Sequence, residues 1–178
     1  MDKQTVRCYC LFVRSGSEQS VSDSINRFDD HFNAMAPRRT LHEKTGSIWS
    51  SKTLALLPGY VFVYSSEPDG GPFIRRVDRM YKALRYNAEM RELVGDDREY
   101  AMWVYRNHGD ITPSKILIEG DSVRVVDGPL LDCRGQIVRI DKHRRRASVE
   151  FDFDGSKRIV SLSAEVITGY EHMKDANT

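Results

Sequence analysis

The chain has 178 residues and a mass of 20.5 kDa, room for one ordinary domain or two small ones, and its 40% hydrophobic and 30% charged residues exclude a wholly disordered chain. No apolar run approaches the roughly 20 residues that span a bilayer, and the start, MDKQTVRCYC, has no small-residue cleavage site, so a cytoplasmic protein without membrane contact is expected. The formal net charge of +1 conceals a segment, Arg134 to Arg158, that carries +4 against −3 elsewhere; local charge of this kind permits nucleic acid where the global balance says nothing.

In chain order, Arg7 to Val13 predicts a strand. Ser15-Gly16-Ser17-Glu18 fits a capping box, in which the serine caps one amide and the glutamate reaches back to another. Val21, Ile25, Phe28 and Phe32 then form one apolar helical stripe. Met35 to Lys44 reads as extended and the polar stretch Gly46 to Thr53 as a mobile loop. Pro58-Gly59 opens the strongest strand of the first half, Tyr60 to Tyr64, with two valines on one face and Tyr60, Phe62 and Tyr64 on the other. A turn cluster, Glu67 to Pro72, precedes a short helix from Pro72 to Val77 and a strand from Met80 to Tyr86. Asp96 and Glu99 signal a further helix start, Tyr100, Trp103 and Val104 supply its stripe, and Gly109 ends it. The order implies an α+β fold, an antiparallel sheet with helices on one face.

Gly109 to Ile118 shows no clear periodicity and reads as a linker. Beyond it the pattern is all-β. Val123 and Val125 alternate with polar residues, Asp127-Gly128-Pro129 turns, and Gln136 to Ile140 forms a second strand. Ala147, Val149, Phe151 and Phe153 alternate strictly with polar residues, and Asp154-Gly155 signals a tight hairpin. Arg158 to Leu162 and Val166-Ile167 complete a set of short strands that predicts a small closed barrel. Residues Glu119 to Thr168 are expected to fold alone, followed by a flexible tail over 169–178.

The segment EGDSVRVVDGPLLDCRGQIVRIDKHRRRASVEF resembles a KOW motif, and LLPGYVFV resembles the signature strand of the NGN domain. In this order they resemble the NusG family of transcription elongation factors over nearly the whole chain. The resemblance implies an NGN-like RNA-polymerase-binding domain at 1–108, a linker at 109–118 and an SH3-like KOW barrel at 119–168. The run Tyr100-Ala101-Met102-Trp103, with Ser114-Lys115, GPL and IDKHRRRASVEF, is similar to the LoaP-type specialised antiterminators. Cys8 departs from the pattern, standing before Tyr9 where the family commonly has Trp-Tyr.

The resemblance implies a processive antitermination or elongation factor that acts by binding, as a monomer. Its first domain would hold the coiled-coil hairpin of the largest RNA polymerase subunit, with Leu57, Tyr60 and Phe62 as contacts. One-sided helices would leave that sheet face open; the alternative is that these residues are core. The KOW domain would take a nascent RNA hairpin, a ribosomal protein or a termination factor. Arg139, Lys142, His143, Arg144, Arg145, Arg146, Lys157 and Arg158 are the expected RNA contacts, because guanidinium forks suit phosphate; the alternative is a solvated turn. Arg38, Arg39, Arg75, Arg76 and Arg79 form weaker basic patches.

Catalysis has little support. The five histidines are dispersed, and there is no Gly-rich phosphate loop or serine elbow. Cys8, Cys10 and Cys133 are odd in number and complete no zinc spacing, so they read as small core hydrophobes, and no metal or cofactor is expected. The alternative function is a KOW-containing RNA-binding or transcription–translation coupling protein acting with the ribosome.

Overall fold

The computed structural model describes residues 6–28, 30–66, 76–77, 81–87 and 91–167. The expected tail lies outside these residues, as do Arg75, Arg79 and most of the segment from Pro72 to Met80, where Arg76 and Val77 alone are described, in helical conformation. The fold is mixed, with two α-helices and twelve strands among the described residues. The chain divides into two compact units: Met1–Arg38 with Ala55–Gly109, and Arg39–Leu54 with Asp110–Thr178.

The first unit holds β1 (Arg7–Phe12), α1 (Glu18–Phe28), β2 (Phe32–Met35), β5 (Tyr60–Ser65), β6 (Lys82–Ala83) and α2 (Gly95–Arg106). Its sheet runs β2-β5-β1-β6, with β5 antiparallel to both β1 and β2. Register sorts the side chains by face: Tyr9 pairs with Val63 and Leu11 with Val61, while Cys8 pairs with Tyr64 and Cys10 with Phe62. The Tyr9, Leu11, Val61 and Val63 face packs with Phe32 and Ala34 beneath Val21 and Ile25 of α1.

The opposite face is also covered. The Tyr64 hydroxyl donates to the Ala101 carbonyl of α2 at 2.7 Å, and the Phe62 ring lies 5.9 Å from that of Tyr100. The sheet is therefore sandwiched between two helices, not open on one side as expected. A strand buried on both faces must be apolar at every position, which is what Tyr60 to Tyr64 provides.

The first helix begins at Glu18, with Ser17 rather than Ser15 just ahead of it. The Glu18 carboxylate is almost fully buried and accepts two amides, Gly16 at 2.8 Å and Gly59 at 2.6 Å. Gly59 adopts a left-handed φ of 86°, and its carbonyl accepts the Val13 amide at 2.8 Å. One carboxylate thus joins the end of β1, the start of α1 and the entry to β5. Charged hydrogen bonds of this kind contribute about 1.5–3 kcal/mol each. The second helix starts at Gly95, one residue before the expected Asp96, and Val94 at its N-cap gives no side-chain cap.

In the second unit, β3 (Arg38–Thr45) and β4 (Ile48–Ala55) form a hairpin that joins β7 (Asp110–Ile111) in a three-stranded sheet, order β4-β3-β7. The stretch from Gly46 to Thr53, expected as a mobile loop, is thus mostly strand. The five-stranded sheet contains β8 (Ser114–Glu119), β9 (Ser122–Asp127), β10 (Gln136–Asp141), β11 (Arg146–Phe153) and β12 (Ser156–Ile167), in the order β10-β11-β12-β8-β9. The β8–β12 pairing is parallel. The expected linker at 109–118 therefore supplies an interior strand; Ile116 and Leu117 are buried there, and the boundary at Glu119 cuts through the sheet. Alternation along β11 buries Ala147, Val149, Phe151 and Phe153 as predicted. Asp154 and Gly155 both have positive φ, 53° and 64°, and close a tight hairpin. Gly135 is required by space: a Cβ there would stand 2.6 Å from Val149 Cγ1.

Candidate functional site

The basic segment folds as the β10–β11 hairpin. Asp141 pairs with Arg146, leaving Lys142 to Arg145 as the turn. Asp141 Oδ1 accepts the Arg144 amide at 3.0 Å; this hydrogen bond, with the nearby Arg144 and Arg139 cations, holds the carboxylate below the usual range. The turn ends on Arg145 in the left-handed region, at φ 52°.

The eight predicted RNA contacts do not form one cluster. Arg139, Lys142, His143 and Arg144 are exposed on β10 and the turn. Arg145 instead pairs with Glu165 at 2.9 Å and lays its guanidinium 4.3 Å from the centre of the Trp49 ring. Arg146 donates to Ser163 Oγ at 3.1 Å, and burial pushes its pKa down. Lys157 pairs with Glu150, which raises its pKa. By register Lys157 and Arg158 lie opposite Asp152 and Phe151 on β11, roughly 17–20 Å along the strand from Arg146. They belong to the far end of the hairpin and not to the basic turn. A sequence run shows charge density but not which cations already have an internal partner.

The β3–β4 hairpin completes this surface. Arg39 donates to the Ser161 carbonyl at 2.7 Å, and the His42 amide donates to Ser163 Oγ at 3.0 Å. Ser163 is buried and so accepts from both His42 and Arg146. Trp49 is half-buried, with Lys44 Nζ 5.9 Å from its ring centre on the same hairpin. Sequence reasoning missed Trp49, Lys44 and Ser163; a lone tryptophan in a polar stretch was the one available signal.

The expected polymerase contacts also separate. Phe62 is fully buried beneath α2 and Leu57 is 5% exposed, so neither is presented to a partner. Tyr60 is half-buried at the end of the sheet, its ring 5.0 Å from Phe12, which Lys82 Nζ approaches at 5.8 Å. Of the weaker patches, Arg38 is exposed, Arg39 is committed to Ser161, and Arg76 lies 5.2 Å from the Phe28 ring. Among the described residues, no three His, Cys, Asp or Glu side chains are grouped to hold a metal ion, and no helix is long and apolar enough to cross a membrane.

Comparison with known proteins bears on both units. No family model matches the chain. It is 27% identical over 171 residues to the transcription termination/antitermination protein NusG of Buchnera aphidicola subsp. Acyrthosiphon pisum (strain APS), covering 90% of this chain and 94% of that protein. Its fold is similar to a solved structure of Thermotoga maritima NusG, described as a study of domain interaction, with a TM-score of 0.52 at 20% identity over 89% of this chain and 94% of that one.

Proposed function

We infer that this chain is a NusG-like transcription termination/antitermination factor that acts by binding. The observation that carries the reading is a sequence likeness to NusG that spans 90% of the chain and so runs through both units. In this reading the first unit is an NGN-like domain that docks on RNA polymerase, and the second is a KOW-like barrel that takes nascent RNA. The Tyr60–Phe12 pair is the proposed polymerase contact, because it is the part of the aromatic strand still accessible to a helical partner. Arg139, Lys142, His143 and Arg144 are the proposed phosphate contacts, being the exposed basic residues grouped on β10 and the turn that follows it. A partner that prefers the closed, elongating polymerase shifts its population away from paused states by its differential affinity alone. The LoaP-like stretches favour a role on selected operons over general elongation.

The test is co-purification with RNA polymerase, combined with read-through of a terminator in a purified system. Wild-type protein is expected to retain polymerase and alter read-through. Tyr60→Ala should weaken polymerase binding by about tenfold or more, as removal of an anchoring aromatic does, with little change in melting temperature. Retention of ribosomal proteins without polymerase would move the chain to the ribosome-coupled alternative.

A further inference from the structure

We propose that Trp49, with Lys44 and Arg145 beside its ring, is a stacking site for an unpaired nucleotide of single-stranded RNA. The proposal rests on the reading that the second unit binds RNA, and it adds a base-contacting element that the basic turn lacks.

Arg145 closes the basic turn. Its φ of 52° is a conformation that glycine or asparagine adopts at least cost, so the turn itself does not call for an arginine. The side chain has a separate use: its guanidinium lies 4.3 Å from the Trp49 ring centre and is anchored by Glu165 at 2.9 Å. A second cation, Lys44 Nζ, lies 5.9 Å from the same ring. Trp49 is only half-buried, so part of the indole meets solvent, and the neighbouring Ile48 is 74% exposed. The exposed Lys142, His143 and Arg144 immediately precede Arg145 in the turn.

A half-buried aromatic ring with one guanidinium fixed over it and an exposed lysine near it suits one ligand class, which stacks on the part of the indole left to solvent. A base stacks on the indole irrespective of its identity, while the flanking phosphates meet Lys44, Lys142 and Arg144. The ring sits on a β-strand with Arg145 fixed against it, so little ordering entropy opposes binding. Paired bases hide their faces inside a duplex, so the site selects unpaired RNA, such as a hairpin loop or its flank.

The full-length protein makes the test direct. It has two tryptophans, and Trp103 is 1% exposed within α2, so a ligand-induced change in intrinsic fluorescence reports Trp49. Oligo(U) and a blunt RNA duplex are titrated separately. Oligo(U) is expected to quench the fluorescence, and the quench should persist in Trp103→Phe. Trp49→Ala should weaken oligo(U) binding by roughly fivefold to a hundredfold, while Trp49→Phe keeps most of the affinity and duplex binding is unchanged. Binding of oligo(U) without quenching overturns the proposal and needs no substitution, so the result stands even if Trp49→Ala misfolds. A joint serine variant of Arg139, Lys142, His143 and Arg144 separates the two readings. Loss of RNA binding there, with Trp49→Ala at wild-type affinity, removes the stacking site and leaves the basic turn as the RNA contact. A wild-type protein that binds neither RNA removes both.

Discussion

Cys8 lies opposite Tyr64 in the β1–β5 register, sealed under the second helix with its sulfur 3.3 Å from Met102 Sδ. Burial pushes the Cys8 thiol up to about 12 and raises the Tyr64 phenol in the same direction, because a charge on either would lack water. In the unfolded chain a cysteine ionises at about pH 8.5. Above that pH the unfolded state holds fewer protons than the folded one, so stability is fully present below about pH 8.5 and is lost as pH rises toward the folded value. Urea midpoints are therefore expected to be steady to about pH 8 and to fall above it, with a shallower fall in Cys8→Ala. A midpoint that rises with pH, or equal slopes for the two proteins, would contradict the sealed environment. The Cys8 and Cys10 side chains read correctly as core, and Glu18 read correctly as a group that reaches back to an amide. Its second bond, to Gly59, was not legible, because nothing local announces a partner 41 residues away.

At the scale of elements, periodicity located most strands and both described helices but not the layers they occupy, and it carried the first stripe too far: α1 ends at Phe28, which is exposed, and Phe32 is buried in β2. The α2 stripe of Tyr100, Trp103 and Val104 shows that the helix buries a face, and is silent on which side of the sheet receives it. The signal that decides lies in β5, where aromatics alternate with valines and leave no polar face. Strand β8 was missed for a related reason. Ser114 to Glu119 carries Ile116, Leu117 and Ile118 in succession, without the alternation of a half-exposed strand, because it lies in the sheet interior between β12 and β9. This makes a prediction about fragments. A piece beginning at Glu119 loses the buried Ile116 and Leu117, at about 1.5–3 kcal/mol each for lost burial, and leaves Ala164 to Ile167 without a pairing strand. A piece beginning at Asp110 keeps both. Circular dichroism and urea titration should show a cooperative transition only for the longer fragment, or one more stable by several kcal/mol. Equal transitions would restore Glu119 as the start of the second folding unit.

At the scale of the whole molecule, the two units are not the two halves of the sequence. The chain leaves the first unit after Arg38, builds the β3–β4 hairpin within the second, and returns at Ala55. The exchange was not legible in sequence, since the hairpin is polar and is seated by Arg39, His42 and Trp49 through contacts more than 90 residues distant in the chain. It does carry an energetic signature. Phe62 is fully buried in the first unit and Phe153 is 1% exposed in the second. Truncating either to alanine should cost about 3–5 kcal/mol, which raises amide exchange in the affected unit by roughly two to four orders of magnitude where exchange follows its opening. Phe62→Ala is expected to release amides in 6–28, 30–38, 55–66 and 91–109, and Phe153→Ala those in 110–167. The discriminating segment is 39–54. Although it lies inside the first half of the sequence, its amides should follow Phe153→Ala and stay protected in Phe62→Ala. Hydrogen exchange read by mass spectrometry resolves that segment directly. Loss of its protection with Phe62→Ala alone would return the hairpin to the first unit, and loss of all amides together in either variant would show that the two units open as one.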